Sequence, residues 1–264
     1  MDDVTGMDRR PIEIGPILSN AFRLIGNNVP TVLGISLITI APMRLLDLAL
    51  VTWGIMPHET GSYWLPFALA LLGSALLSSV MQTFGAGALA GTALAKGVDA
   101  RTNFFETLAP ALRFLPVIVP AALLYMIAIF AGLVFLVVPG ILAALMWSVI
   151  GPVIVAERTG IIEAFRRSQT LTDNVLGRVF LLSIAENVFS GSFRWVADRL
   201  GSLFFDAEAA NMDYVSQTAP FLFQTLVILA TTAFSIALNC ALYIALIERH
   251  GDGPMTDRLA RIFE

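Results

Sequence analysis

The chain has 264 residues, of which 57% are hydrophobic and 14% charged, against roughly 45–50% and about 25% in soluble domains. Its mean hydropathy is +0.79, so we expect lipid to be the solvent for much of it. The net charge of −4 does not suggest nucleic-acid binding. One cysteine, Cys240, and two histidines, His58 and His250, exclude an intramolecular disulfide and any centre or triad built on His or Cys clusters. We therefore predict no catalytic residues, no metal site and no cofactor.

Six apolar segments follow one another along the chain, and each is long enough to cross a membrane. They cover residues 29–56, 64–94, 114–138, 141–156, 179–205 and 219–247. An amphipathic stretch precedes the first, third and fifth segments, at residues 11–28, 96–113 and 161–172. The predicted fold class is therefore all-α: a polytopic membrane protein with six transmembrane helices arranged as three hairpins, each preceded by a cytoplasmic amphipathic helix.

The same pattern predicts the domain organisation. Residues 1–28 would form a cytoplasmic N-terminus and surface helix, residues 29–247 a six-helix transmembrane domain, and residues 248–264 a cytoplasmic tail. In this scheme 13 of the 16 Lys and Arg residues fall on the side of the N-terminus, and the loops 57–63 and 206–218 have none. By the positive-inside rule, both termini are expected in the cytoplasm and the protein in the inner (plasma) membrane. Four arginines are expected to meet anionic lipid at that surface: Arg158, Arg166, Arg167 and Arg178.

An internal repeat links the three predicted hairpins. At an offset of 90 residues, Leu18, Ala21, Arg23, Val29, Pro30 and Leu33 recur as Leu108, Ala111, Arg113, Val119, Pro120 and Leu123. The run Ala164-Phe165-Arg166 repeats Ala21-Phe22-Arg23. The matches indicate three units in the same orientation, as in some transporters. The alternative is chance similarity between stretches of similar composition.

Residues 138–172 contain the densest set of structural signals. Pro139-Gly140 is predicted to end one helix and turn the chain, because proline lacks a backbone N–H and glycine accepts φ > 0. Residues 141–156 would return through the membrane, with an exit at Glu157-Arg158. In the amphipathic helix that follows, the apolar positions expected broadly on one side are Ile161, Ile162, Phe165 and Leu171.

This stretch resembles a known family. The matching residues are Val138 to Ile141 (VPGI), Trp147, Pro152, Glu157, Gly160, Glu163-Ala164, Arg167-Ser168 and Leu171-Thr172. The pattern resembles the membrane domain attached to some bacterial glycerophosphodiester phosphodiesterases and similar stand-alone membrane proteins, over about 35 of the 264 residues. The resemblance implies a multi-helix membrane protein. In that family hydrolysis belongs to a separate soluble domain, for which this chain has no length left, so we expect no enzymatic activity.

Polar residues inside the apolar segments are the candidate site, because a charge at the bilayer centre costs about 2.5–3.5 kcal/mol. They are Glu186, Asn187, Arg44, Asp47, Arg194 and Asp198. Arg44 and Asp47, and likewise Arg194 and Asp198, are spaced to meet on their own helices. If segments one and five are neighbours, the four charges would form one network. They would then serve as a polar path or lipid-headgroup site, or as a structural clasp near the outer interface.

Other features in the segments have structural interpretations. Gln82 and Asn239 are expected to make helix-to-helix hydrogen bonds. The small-xxx-small spacing of Gly87 and Gly91 predicts a close helix approach, within the chain rather than between two copies. For Glu186, a proton-coupled role and a simple protonated carboxyl both remain open.

These observations support two functions. The first is a non-catalytic integral membrane protein that organises lipids or partners. The alternative is a transporter or lipid flippase whose intramembrane polar path includes Glu186. The expected partners are membrane lipids or other membrane proteins, and the sequence predicts no oligomeric state. A membrane-embedded hydrolase would need a nucleophile with a base or a metal, which the sequence does not offer.

Overall fold

A computed structural model describes residues 13–52, 64–97, 99–204 and 214–250, and all the secondary structure in them is α-helical. These residues form ten helices: α1 Ile14–Asn27, α2 Val29–Thr52, α3 Trp64–Lys96, α4 Phe104–Arg113, α5 Leu115–Phe135, α6 Val137–Met146, α7 Ile150–Glu157, α8 Ile161–Thr172, α9 Leu176–Phe204 and α10 Tyr214–Arg249. The predictions for residues 1–12, 53–63, 205–213 and 251–264 lie outside the described residues. The all-α fold class is confirmed for the rest.

Five stretches of the described residues are long and apolar enough to cross a membrane. They are Val29–Asp47, Ala70–Lys96, Leu115–Val134, Val137–Glu157 and Ala219–Arg249. They correspond to the first, second, third, fourth and sixth predicted segments, as expected of a multi-pass membrane protein. Helix α9, which corresponds to the fifth, is not among them, because five charged side chains lower its hydropathy: Arg178, Glu186, Arg194, Asp198 and Arg199.

The turn between the third and fourth segments lies at Leu136, so the prediction of a turn at Pro139-Gly140 is wrong. Leu136 has an extended backbone, with φ −160° and ψ 133°, between the end of α5 and the start of α6. Pro139 is the third residue of α6, where a backbone N–H would have no intrahelical partner. Gly140 faces α5, and a Cβ added at Gly132 would lie 2.6 Å from the Gly140 Cα. The glycines therefore let the two arms of a tight hairpin touch.

The fourth segment is not one continuous helix. Helix α6 ends at Met146, residues 147–149 form a turn, and α7 begins at Ile150. The sequence predicts one uninterrupted segment that crosses back through the membrane over residues 141–156, and the break corrects this prediction. The candidate site lies at the break.

The three amphipathic helices form as predicted, and each packs its buried face against another helix of the same chain: α1 against α10, α4 against α3, and α8 against α7. On α8 the buried residues are Ala164, Ser168, Leu171 and Thr172. Ile162 is instead 71% exposed, so it does not share the buried face of α8. The hydroxyls of Ser168 and Thr172 are buried because they find carbonyl partners in the neighbouring span.

One pattern of burial recurs along the chain. Three sets of positions are related by offsets of 90 and 143 residues: Ala21, Ala111 and Ala164; Asn28, Ile118 and Leu171; Val32, Ala122 and Val175. All nine side chains are 4% exposed or less. Each stripe begins on an amphipathic helix and continues towards the start of the helix that follows it. The repeat in the sequence is therefore accompanied by a repeat in burial.

Helices α3 and α7 pack closely through glycines. A Cβ added at Gly87 would lie 2.6 Å from the carbonyl oxygen of Gly151, and one at Gly91 would lie 3.0 Å from Val155 Cγ1. A Cβ added at Gly151 would lie 2.2 Å from the carbonyl oxygen of Thr83. The predicted close approach at Gly87 and Gly91, within one chain, is confirmed.

Gly151→Ala is expected to destabilise the protein, because the added methyl meets backbone that cannot rotate away. Overpacking of this kind costs about 1–3 kcal/mol. Gly191→Ala on α9 is the matched control, since a Cβ there meets nothing within 4 Å and alanine favours a helix. Thermal unfolding of the purified variants in detergent should give a lower midpoint for Gly151→Ala alone. Equal midpoints for the two variants would contradict the packing described.

Candidate functional site

The break in the fourth segment leaves backbone carbonyls without intrahelical partners, and side chains from two other helices satisfy them. Met146 O accepts hydrogen bonds from Ser168 Oγ at 2.9 Å and Thr172 Oγ1 at 3.1 Å, both from α8. Ser148 O accepts one from Asn239 Nδ2 on α10 at 3.0 Å. An unpaired carbonyl in hydrocarbon costs several kcal/mol, so these bonds stabilise the break. The interhelical bond predicted for Asn239 is confirmed.

A cavity of about 580 Å³ lies beside the break, lined by residues of α3, α5, α6, α7, α9 and α10. Its volume falls in the range of small-molecule sites, roughly 300–1,000 Å³. The polar residues that line it include Ser79, Gln82, Thr83, Tyr125, Ser148, Ser183, Glu186, Asn187, Ser235 and Asn239. Of the side chains that line it, Glu186 alone is acidic and none is basic. Glu186 thus supplies the one carboxyl group of a polar chamber.

The cavity lies at the middle of the spans. Thr83 and Trp147 are at the midpoints of Ala70–Lys96 and Val137–Glu157, and Ser235 is one residue from the midpoint of Ala219–Arg249. Sites near the bilayer midplane, formed at discontinuous helices, are typical of secondary transporters.

Glu186 and Asn187 lie together on the wall that α9 contributes. Ser235 Oγ on α10 donates a hydrogen bond to Glu186 Oε1, which joins the two helices. Asn187 Nδ2 donates to Ser183 O on its own helix at 2.8 Å. Gln82 Nε2 donates to Ser78 Oγ on α3 at 3.1 Å, so the bond that we expected it to make to another helix is replaced by one within its own.

Two buried polar atoms in this site have no hydrogen-bond partner in the described part of the chain: Asn239 Oδ1 and Ser148 Oγ. Leaving such an atom unsatisfied costs about 1–3 kcal/mol, and the great majority of buried polar groups have partners. Both residues border the cavity. These atoms therefore identify where a ligand would gain hydrogen bonds that the protein does not make by itself.

The cavity reaches the outer surface of the helix bundle. Phe180, Ile184 and Val188 line it and are also exposed apolar residues of α9, and Val188 is 61% exposed. Gln82 and Asn187 are exposed polar residues of the same lining. Polar and lipid-facing apolar surface therefore meet at its mouth.

The four predicted charges do not form one network. Arg44 Nη1 lies 3.6 Å from Asp47 Oδ2, which confirms that pair, and the guanidinium sits 5.4 Å from the centre of the Phe221 ring. Arg194 Nη2 instead donates to Thr231 Oγ1 at 3.3 Å, and its predicted pairing with Asp198 is not found among the described residues. Helices α2 and α9 each pack on α10, but Arg44 contacts Phe221 whereas Arg194 contacts Thr231. Neither arginine lines the cavity.

The predicted surface arginines separate into two groups. Arg158, Arg166 and Arg178 are exposed, whereas Arg167 Nε donates to the Glu157 carboxylate at 3.1 and 3.0 Å with both side chains about a quarter exposed. Tyr243 on α10 also donates to Glu157 Oε1 at 3.2 Å. The role predicted for Arg167 is therefore corrected: it pairs α8 with α7, and Tyr243 joins α10 to the same carboxylate.

Two further ion pairs lie outside the cavity. Arg23 Nη2 on α1 donates to both carboxylate oxygens of Asp99 at 2.6 and 2.7 Å, and Lys96 Nζ donates to Glu106 Oε2 at 2.5 Å. The hydrogen bond and charge of Lys96 hold the pKa of Glu106 below its usual range. That pair therefore contributes at neutral pH and is lost only as the pH falls through the lowered pKa.

Sequence reasoning found Glu186, Asn187, Gln82 and Asn239 but missed the smaller polar residues around them. Ser79 and Thr83, Ser183 and Asn187, and Ser235 and Asn239 are all spaced i, i+4 on three different helices. This spacing places each pair on one helix face. A search for polar stripes inside apolar segments would have indicated them.

Comparison with known proteins finds no family model, no curated protein and no solved structure that matches the chain. Within the described residues, no group of three or more His, Cys, Asp and Glu side chains is placed to hold a metal ion.

Removing both hydroxyls that cap the break is expected to destabilise the protein. In a Ser168→Ala, Thr172→Val variant the Met146 carbonyl loses both side-chain donors, at a cost of about 1–3 kcal/mol. Thr170→Val is the matched control, because its hydroxyl donates only to Arg166 O on the exposed side of α8. Thermal unfolding in detergent should separate the two. A double variant as stable as Thr170→Val would mean that the break does not depend on α8.

Proposed function

We propose that α9 also crosses the membrane, which brings the number of spans to six. We further infer that the protein lies in the inner membrane with both termini in the cytoplasm. The recurring burial pattern supports the proposal of a sixth span, because α9 follows the buried positions of α8 as α2 follows those of α1 and α5 those of α4. Helix α9 also exposes large apolar side chains from Phe180 to Leu203, a length of about 35 Å at 1.5 Å per residue. That length matches the hydrocarbon core of about 30 Å. The three units would then be three hairpins, each following its amphipathic helix.

We further propose that this protein is a lipid flippase or closely related transporter, in which the cavity receives the headgroup of an amphiphile during its passage across the membrane. The observation that carries the proposal is the polar cavity at mid-depth beside the broken segment. Polar groups at that depth cost free energy unless they form hydrogen bonds within the protein or with a ligand. Discontinuous helices and parallel repeats both occur in transporters.

The mouth of the cavity favours an amphiphile over a small solute. A headgroup inside the cavity would leave its acyl chains against Ile184 and Val188, which line the cavity and face outwards from α9. The headgroup would thus contact polar side chains, and the acyl chains would contact apolar ones.

The second candidate function is lipid or partner organisation at the cytoplasmic surface. The exposed arginines Arg158, Arg166 and Arg178 favour it, since each basic residue near an anionic leaflet is worth about 1 kcal/mol of attraction. The resemblance to the membrane domain of glycerophosphodiester phosphodiesterases agrees with either function, and neither proposal includes an enzymatic activity.

A lipid translocation assay tests the two against each other. The purified protein is reconstituted into liposomes containing fluorescent lipids labelled on an acyl chain, and dithionite quenching reports how fast they leave the inner leaflet. The wild-type protein should accelerate this step. Glu186→Gln should reduce the initial rate at least tenfold, because it removes the one carboxyl group that lines the cavity, whereas Glu163→Gln, the same substitution at an exposed position of α8, should not.

Variants of the surface arginines test the second candidate function. An Arg158→Gln, Arg166→Gln variant should translocate lipid at the wild-type rate if the cavity is the functional site. No translocation by the wild-type protein, together with loss of binding to anionic vesicles in the double arginine variant, would overturn the flippase proposal in favour of the organising function.

A further inference from the structure

The charge of the cavity restricts its ligand. Glu186 supplies a carboxyl group, and the lining contributes no lysine, arginine or histidine. A phosphate or carboxylate inside the cavity would find no cation to compensate its charge, whereas a cation would find a carboxyl group that can ionise beside it and pair with it at low dielectric.

The hydrogen-bonding capacity of the lining restricts the ligand further. A hydroxyl has one hydrogen to donate, and three lining hydroxyls direct theirs to protein acceptors: Thr83 to Ser79 O at 2.7 Å, Ser183 to Val179 O at 3.0 Å, and Ser235 to the Glu186 carboxyl. What these groups still offer is lone pairs. Asn239 Oδ1 adds a buried acceptor that has no partner in the described part of the chain.

A group with several donors matches these acceptors, to which Ser148 Oγ, a buried hydroxyl oxygen without a partner in the described part of the chain, adds its lone pairs. A primary ammonium has three donors, a positive charge and no acceptor. A quaternary ammonium has the charge but no N–H donor, so it would leave Asn239 Oδ1 unsatisfied.

We propose that the cavity binds a primary ammonium group, with Glu186 as its counter-ion and Asn239 Oδ1 among its acceptors. This inference rests on the proposed function and deepens it, because it names the headgroup chemistry. The ammonium has two sources that share this chemistry: the headgroup of an ethanolamine phospholipid, or a free primary amine.

The test measures ligand-dependent stability of the full chain in nanodiscs of phosphatidylglycerol, a lipid without an ammonium group. A ligand that binds the folded state raises the unfolding midpoint in a saturable way. Ethanolamine should raise it, choline should require at least tenfold higher concentration for the same shift, and inorganic phosphate should give none. Glu186→Gln should weaken the apparent affinity for ethanolamine at least tenfold, and the matched control Glu163→Gln should leave it unchanged.

Nanodiscs of phosphatidylethanolamine identify the source. If they raise the midpoint and abolish the effect of added ethanolamine, the lipid headgroup occupies the site; if the effect persists, the ligand is a free amine. The unfolding midpoint of Glu186→Gln without ligand shows whether that variant folds. Glu186→Asp, which keeps the carboxyl group, should bind ethanolamine more tightly than Glu186→Gln, and a folded Glu186→Asp that binds as weakly as Glu186→Gln would count against the inference.

Three results would overturn the inference: no shift with either ethanolamine or its phospholipid, an equal shift with phosphate, or loss of binding in Glu163→Gln to the same extent as in Glu186→Gln. In each case, lipid translocation without headgroup preference would leave the proposed function standing, and its absence would remove both.

Discussion

A carbonyl oxygen inside a membrane span must find a donor within the protein, because hydrocarbon supplies none, and the break at residues 147–149 depends on that constraint. Ser168 and Thr172 reach Met146 O, and Asn239 reaches Ser148 O. These bonds fix α8 and α10 against the broken segment, while glycines let α3 approach α7 from another side. The cavity is bounded by the same elements. The break therefore requires hydrogen-bond donors from other helices, and the candidate site forms beside it.

The three sets of buried positions recur around α1, α4 and α8, but the stretches that follow these helices differ where the site forms. Helix α5 leads into the broken segment of α6 and α7, whereas α9 carries Glu186 and Asn187 on the cavity side of an apolar exterior. The recurring burial is what the three stretches have in common. The polar chamber forms beside α6 and α7, where they differ.

Local patterns in the sequence predicted the structural features that depend on residues close together in the chain. Hydropathy located the segments, and spacing predicted the pair Arg44 and Asp47 and the close approach at Gly87 and Gly91. The break escaped prediction because its partners are distant in sequence: Ser168 lies 22 residues from Met146, and Asn239 lies 91 residues from Ser148. Arg194 was wrongly paired with Asp198 because an alternative partner, Thr231, comes from another helix. Long-range partners override local spacing in both cases.

Thiol accessibility at the middle of the membrane tests the central claim, a polar cavity at mid-depth, most directly. In a chain whose native cysteine is replaced (Cys240→Ala), single variants Gln82→Cys and Ile127→Cys are treated with a water-soluble, membrane-impermeant thiol reagent. Both residues are exposed and lie within three residues of the midpoints of their spans, but only Gln82 lines the cavity. The account predicts modification at least tenfold faster at Gln82→Cys. Equally slow modification at the two positions would contradict it.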